Sequence, residues 1–299
     1  MPKKKIFLIG ELIIDRNFQI KASGRAAEFN APKNILIRNY INLGGAGMVY
    51  AGLNLLKKKI NFFSITNLSL YNKIPKTIKK NLVFDKNYRL EKNRFWKKNK
   101  MIMQLNDSTT SKIAIKKFQN RLINEIQKFN KDDTVIFSDY RHLLFETKFT
   151  RKIIKLIKAK GITIYVDQQS TSKIPDLYKF KNVNFLILNK IEFLKALNKY
   201  KVKNSNFKTS LRILQSKLGI KQFVVKMGKE GSIYLNKNKL ITVKAYKNDK
   251  NLNPIGAGDF FLAKFVVLNK KDIAKRLFEA NKFAYEKISN KINFNHFTI

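Results

Sequence analysis

The sequence contains no cysteine. That absence removes disulfides, thiolate catalysis and Cys-ligated metals at once. Its two histidines, His142 and His296, are too few for a zinc site built on imidazole ligands. No stretch reaches the roughly 18 uncharged apolar residues that a membrane span needs. The opening segment MPKKKIFLIGELIIDR begins like a signal peptide, but Glu11 and Asp15 interrupt its apolar run too early. A cytoplasmic protein with no membrane partner is the expectation. Acidic residues are also scarce: 20 Asp and Glu against 62 Lys and Arg leave a formal net charge of +42.

Two readings compete for that charge. A basic groove for nucleic acid is one. The other is a global compositional bias, because Lys is spread along nearly the whole chain beside abundant Asn and Ile. Few runs exceed three consecutive basic residues, and Gly/Arg or Ser/Arg tails are missing. The even spread favours solvated lysines, so no specific nucleic-acid partner is expected. Weak, salt-sensitive adherence to polyanions follows in either case. A basic surface also suits anionic substrates such as ATP and sugar phosphates.

What is present is a chain able to bury a large core: 299 residues, 44% hydrophobic, with 24 Phe. Lys5–Ile9 reads as a buried strand ending at Gly10. Residues 17–42 lack helical period and include Gly24 and Pro32, which predicts short strands in a flap. Gly44-Gly45-Ala46-Gly47 opens a helix through Leu56. Residues 91–106 predict a hairpin with a turn at 97–100. Strands and helices then alternate: helix 112–129, strand 134–138, helix 147–159, strand 162–166 and strand 183–188. Helices 190–199 and 207–218, strand 222–226 and a hairpin around 232–244 follow. The last helices start at Ala257 and near Lys271. Such alternation implies an α/β fold with a mostly parallel sheet covered on both faces. One domain with a small β lid, from about 17–42 and 91–106, is the simplest organisation.

The segment Asn253-Pro254-Ile255-Gly256-Ala257-Gly258-Asp259 carries the most chemistry. Three small residues precede an acid and a long apolar run, so they form the first turn of a buried helix. Its first N–H groups have no internal partner and carry the positive end of the helix dipole. With no side chains in the way, they can close around a phosphoryl oxygen. Asp259 then stands at the mouth of an anion hole, placed to take a proton from an attacking hydroxyl. A glycine-softened turn with an acid at a helix start is the structural alternative.

These motifs, in this order, resemble the ribokinase-like (phosphofructokinase-B type) carbohydrate kinases. The similarity runs nearly end to end, through GELIIDR (10–16), LGGAGMVYAGLNL (43–55), KNRFWKKNKMIMQLN (92–106), SDYRH (138–142), VDQQS (166–170), ILNKIEF (187–193), VVKMGKEGS (224–232) and IGAGDFF (255–261). Within the family the chain looks most like the heptose 7-phosphate kinase branch, the kinase half of bifunctional ADP-heptose synthases. No nucleotidyltransferase half is expected. The resemblance implies a three-layer α/β/α sandwich with a β lid, ATP and Mg²⁺ as cofactors, and a homodimer formed through the lid.

The resemblance also implies roles. Asp259 is the base, and Gly256, Ala257 and Gly258 supply amides to the transferring phosphoryl group. Asn189 and Glu192 match an N-x-x-E motif that helps hold hydrated Mg²⁺; a helix-capping pair is the alternative. Asp15, Gly44 and Gly45 match sugar-contacting positions. Gly228, Gly231 and Asn281 match the nucleotide side, each with a turn or exposed amide as its alternative. Arg25 and Arg94, in the flap, can grip a sugar phosphate or lie solvated. Phe95 and Trp96 read as flap packing and His142 as structural.

Several positions depart from the pattern. Met48 replaces the Asn of the Gly-Gly motif, and Asn253 and Ile255 replace an Asp and a Thr before GAGD. Glu11 stands where Asp is common. Lys226 replaces a Thr on the nucleotide strand, where it can pair with a phosphate. A sugar kinase is therefore expected, with heptose 7-phosphate phosphorylated at O1 as the first choice and ribose, fructose, ketodeoxygluconate or a nucleoside as rivals. A catalytically dead binding module of the same fold is the alternative from another class, and a polyanion-binding protein a third.

Overall fold

The computed structural model describes residues 4–98, 100–169, 175–202, 206–247, 249 and 252–291. Asn99, Ser170 and His296 lie outside these. In chain order the elements begin with β1 (Ile6–Gly10), β2 (Leu12–Arg25), β3 (Pro32–Gly45) and α1 (Ala46–Leu55). Then come β4 (Ile60–Asn67), α2 (Lys76–Lys79), β5 (Leu82–Asp85), β6 (Arg89–Lys97), β7 (Lys100–Thr109) and α3 (Lys112–Ile126). The middle alternates through β8 (Thr134–Asp139), α4 (Thr147–Ala159), β9 (Thr163–Gln168), β10 (Phe185–Asn189), α5 (Lys190–Lys199) and α6 (Phe207–Leu218). The last elements are β11 (Gln222–Lys226), β12 (Ser232–Asn236), β13 (Leu240–Val243), α7 (Ala257–Val267) and α8 (Ile273–Ile288).

A nine-stranded sheet runs β13-β12-β11-β10-β9-β8-β1-β4-β5, and only the β11–β12 and β12–β13 pairings are antiparallel. β1 shows why both faces are covered. Phe7 and Ile9 point into one core with Phe118 and Leu122 of α3 and Ile153 and Ile157 of α4. Ile6 and Leu8 point into the other, with Val49 of α1, Phe260 and Phe265 of α7 and Leu277 of α8. Period-two alternation in an apolar strand thus feeds two cores, and helices must close both.

α7 is apolar all round, so it is buried rather than half-exposed. It lies between α1 and α8, and Gly52 makes the α1 contact possible. A Cβ on Gly52 would come 2.9 Å from the Cβ of Ala263.

A second sheet, ordered β3-β2-β6-β7, stands on the first. Residues 17–42 do not form short strands. β2 and β3 are 14 residues each and pair along their length, with irregularities at Gln19/Ile20 and Ala22/Arg25. β2 also pairs in parallel with β6, so tertiary pairing extends what local composition would break. Segment 57–90, to which the sequence assigned nothing, supplies β4 and β5 at one sheet edge. Helix 112–129 stops at Ile126, and the helix expected near Lys271 starts at Ile273, where Asp272 accepts the Ala274 and Lys275 amides. No helix among the described residues is long and apolar enough to cross a membrane.

The α1–α7 contact yields the first prediction. Gly52→Leu forces a side chain between the two helices and lowers the unfolding free energy by about 1–3 kcal/mol or more. A denaturant melt with an unchanged midpoint would show that the helices are not packed this closely.

Candidate active site

The parallel strands end together, and their carboxyl ends bring Gly10, Ser138, Asp167, Asn189 and Lys226 into neighbouring register. Ligands of open α/β sheets sit at this edge. A cleft of about 650 Å³ opens there, floored by the start of α7 and walled by the second sheet on one side.

Gly256 caps α7 with φ 81°, a left-handed conformation that a larger residue adopts poorly. The Asn253 side chain accepts the Ile255 amide at 3.1 Å, and the Ala257 amide donates to the Pro254 carbonyl at 3.1 Å. Ala257 is therefore a turn residue first, and its N–H is not open to a ligand. The Gly256, Gly258 and Asp259 amides donate to no acceptor among the described residues. The open amides are thus those of Gly256, Gly258 and Asp259, one residue closer to the acid than expected.

Asp259 is 6% exposed on the cleft floor. The Tyr140 hydroxyl donates to its Oδ1 at 2.7 Å. Burial, and then the charge of Asp167, push the Asp259 carboxyl up to about 7, against the Tyr140 hydrogen bond and the Lys226 and Lys92 charges. A carboxyl so placed is half-ionised near neutrality, where a base works best.

Tyr140 is itself held from behind. Its amide donates to Glu11 Oε2 at 2.6 Å, and the His142 amide to Glu11 Oε1 at 3.2 Å. Glu11 is fully buried, and burial followed by the Asp139 charge raises its carboxyl to about 8. Asp139 is neutralised by Lys179 at 2.7 Å. The acid at position 11 thus braces the SDYRH loop.

On the second-sheet side, Asp15 binds Arg94 Nη1 at 2.8 Å through Oδ2, while Oδ1 is buried with no hydrogen-bond partner. A buried carboxylate oxygen left without a donor retains capacity to accept a hydrogen bond. Gly44 lies directly against Asp15, where any Cβ would collide with the carboxylate. Gly45 and Lys92 line the same end, and burial lowers the Lys92 ammonium despite Asp15 and Asp259 nearby. Arg94 is bound to Asp15 and, through Nε, to Gln104 at 3.2 Å, so it orients the carboxylate before anything else. Arg25 lies outside the cleft. It is exposed at the β2–β3 tip and bonded to Asn30. Phe95 stacks on Phe18, with ring centroids 4.8 Å apart, and the Trp96 indole donates to Asn17, the packing role expected of both.

At the far end, Gly228, Gly231 and Asn281 line the cleft with Tyr246 and Tyr285, whose ring centroids lie 5.6 Å apart. The Asn281 side-chain amide donates to the Lys244 carbonyl at 3.2 Å, and the Tyr285 hydroxyl donates to Asp249. Asn189 lines the cleft, but Glu192 does not. Asn189 Oδ1 accepts the Glu192 amide at 2.8 Å and Glu192 Oε2 accepts the Asn189 amide at 2.6 Å, a complete capping box. Among the described residues no group of three or more His, Cys, Asp or Glu could hold a metal ion.

Tyr140, Lys92, Tyr246 and Tyr285 were not singled out from sequence. Tyr140 had a readable signal, since it directly follows a strand whose carboxyl end reaches the ligand edge.

A family model described as pfkB family carbohydrate kinase matches residues 97–291. The chain belongs to the pfkB carbohydrate kinases. It is 25% identical over 289 residues to the bifunctional protein HldE of Helicobacter pylori (strain J99), covering 94% of this chain and 61% of that protein. HldE of Aliarcobacter butzleri is 23% identical over 296 residues, with 94% and 59% covered. The chain thus spans about three fifths of these relatives' length. Arabidopsis thaliana ribokinase complexed with ribose and ATP superposes with a TM-score of 0.72 at 14% identity, covering 96% of this chain and 93% of that one. Escherichia coli phosphofructokinase-2 in complex with potassium gives 0.75 at 12% identity, covering 97% and 94%. The ribokinase-like fold expected from the motifs is present.

Burial of Asp259 carries a thermodynamic consequence. Its folded value of about 7 lies above the ordinary 3.8, so as pH rises between them the unfolded chain ionises first. Stability therefore falls across that window and levels off above it. Asp259→Asn should raise the unfolding free energy at pH 8 by about 1–4 kcal/mol, with the gain shrinking toward pH 4. Denaturant titrations at the two pH values test this; a gain independent of pH would refute the raised carboxyl.

Proposed function

We propose that the chain is an ATP-dependent carbohydrate kinase that transfers the γ-phosphoryl group to a hydroxyl of a sugar or sugar phosphate. The observation that carries this reading is Asp259, which stands on the cleft floor between the unpaired amides of α7 and the Asp15 end. The acceptor's hydroxyls meet Asp15 Oδ1 and the Gly45 backbone. The nucleotide's base lies toward Tyr246, Tyr285 and Asn281, and its phosphates run past Gly228 to Gly256 and Gly258. The second sheet covers the acceptor as a lid.

Asp259 takes the proton as the acceptor oxygen attacks γ-phosphorus. The bond to the β–γ bridging oxygen breaks, and ADP leaves with that electron pair. The Gly256 and Gly258 amides meet the charge on the transferred group. Tyr140 holds the carboxylate in line and favours its ionised form. Magnesium bound with the nucleotide would supply charge neutralisation on the phosphates. Asn189, which lines the cleft, would hold it through water, while Glu192 is engaged in the helix cap and Asp167 with Lys226.

Heptose 7-phosphate, phosphorylated at O1, is the acceptor this reading favours. Its support is the motif set shared with the heptose 7-phosphate kinase branch and the similarity to HldE, together with Lys92 and Arg94 beside Asp15 for an anionic substrate. One observation favours a binding module without turnover: a Cβ on Gly256 would come 2.5 Å from the Met48 methyl, which thus crowds the anion hole.

ADP release from ATP across a panel of sugars and sugar phosphates separates the two. A kinase releases ADP with at least one acceptor, with a rate that climbs as pH passes about 7 and Asp259 ionises. Asp259→Asn should cut turnover by about 10²–10⁴-fold. Tyr140→Phe removes a hydrogen bond that favours the carboxylate, so the climb should move to higher pH. ATP binding with no ADP release selects the binding module.

The lid also supports a homodimer. β3 exposes Ile35, Leu36 and Ile37, and β7 exposes Met101, Ile102, Met103 and Leu105. Light scattering should give twice the chain's mass, and Ile35→Lys with Ile37→Lys should return it to a monomer. A wild-type monomer at micromolar concentration would end this reading.

A further inference from the structure

Two lysines press on the mouth of α7, where phosphate charge is to be held. Lys226 ends β11, and its Nζ lies 3.1 Å from the point a Cβ on Gly258 would occupy. Lys287 reaches the same turn from α8, its Cε 3.4 Å from the corresponding point on Gly256. Lys226 Nζ also lies 2.9 Å from Asp167 Oδ1, a carboxylate with no solvent exposure. The other oxygen of Asp167 is buried with no hydrogen-bond partner.

Burial alone pulls the Lys226 ammonium down, but Asp167, Glu192 and Asp259 outweigh it and hold it charged. The pairing does more than neutralise. A lysine has a long flexible stem, and Asp167 fixes its end at one place. An ammonium carries three donors, and Asp167 uses one of them. The donors that remain stand at Gly258, whose amide is open. Of these three acids, Glu192 is held in the capping box and Asp167 in the ion pair, and no group of three or more such residues among the described ones could hold a metal ion.

We infer that Lys226, supported by Lys287, is a built-in cation for the terminal phosphates of the nucleotide, so that nucleotide affinity in this chain does not require a divalent metal. The inference rests on the nucleotide reading above and deepens it. Charge that a protein-bound metal would bring is fixed covalently at the anion hole. Phosphate binding then depends on the lysine pair, while recognition of the adenosine half depends on the Tyr246 and Tyr285 end. The two halves of the ligand are therefore separable by experiment.

Calorimetric titration with ATP, in EDTA and in Mg²⁺, and with adenosine as a phosphate-free probe, tests this. Wild type should bind ATP in EDTA within about tenfold of its affinity in Mg²⁺. Lys226→Met combined with Asp167→Asn removes both charges of the pair and leaves no orphaned ion. It should lose ATP affinity in EDTA by about 10- to 100-fold, with adenosine affinity unchanged. Lys287→Gln, at a helix surface, should lose about three- to tenfold and serves if the paired variant does not fold. A wild-type affinity that drops more than tenfold in EDTA, or variants that bind ATP as tightly as wild type, overturns the inference. Binding of ATP only with Mg²⁺ leaves the kinase reading standing and sinks this one. No binding of ATP or adenosine in any buffer sinks both.

Discussion

One hydrogen bond joins the parts of this molecule that must agree for the cleft to work. The Tyr140 hydroxyl reaches from the end of β8 to Asp259 at the start of α7, 2.7 Å away. α7 is positioned from the other side by close packing on α1, and Tyr140 is positioned by the Glu11 carboxylate at the β1–β2 junction. β2 continues from that junction into the second sheet. Acid, helix start and lid root are thus referenced to one another through buried groups, where a misplaced partner costs about 1–3 kcal/mol and cannot be repaired by water.

The charge distribution is equally constrained. Acids are scarce in this chain, and ordinary acids lie on the surface. Yet Glu11, Asp15, Asp133, Asp139, Asp167, Glu192 and Asp259 are all buried. Five of these, all but Asp133 and Glu192, sit at or just behind the cleft floor. Each has a compensating partner: Arg94 for Asp15, Lys179 for Asp139, Lys226 for Asp167, amides for Glu11, and Tyr140 for Asp259. The lysine excess therefore has two parts. Most of it is solvated, while Lys179 and Lys226 are internal counter-ions paired with the buried carboxylates of Asp139 and Asp167.

The sequence made the regular half of the fold legible and left the long-range half obscure. The helices at 147–159, 190–199 and 207–218 were readable to the residue. Each is an apolar period, and two are bounded by local chemistry: the Asn189 capping box of α5, and the Asn206 cap and left-handed Gly219 of α6. β5 and α2 were not, because four residues each give no period to read. β2 and β3 looked broken because their stability comes from pairing with each other and with β6. The site divides in the same way. Asp15, Gly45, Asn189, Gly228, Gly231, Gly256 and Asp259, all read from motifs, line the cleft together with Lys226, which departs from its motif. Arg25 and Glu192 do not line it, since an Arg in a hairpin can fall at the exposed tip and an N-x-x-E spacing satisfies a helix start on its own. Lys287 was invisible for a plainer reason. One Lys among many carries no pattern of its own.

The cleft is chemically asymmetric. At the Asp15 end the available group is an acceptor, an orphan carboxylate oxygen with cations beside it, which suits hydroxyls on an anionic molecule. At the Tyr246 end the walls are aromatic and the amide of Asn281 is already committed to backbone, which suits a planar base held by stacking. The middle offers donors of its own: the open amides of α7 and the Lys226 ammonium. Negative charge is therefore stabilised where neither end of the ligand pair can supply a counter-charge, midway between the two. A group that moves between bound partners carries its charge through that region, and Asp259 is the one titratable acid that faces it near its own midpoint at neutral pH.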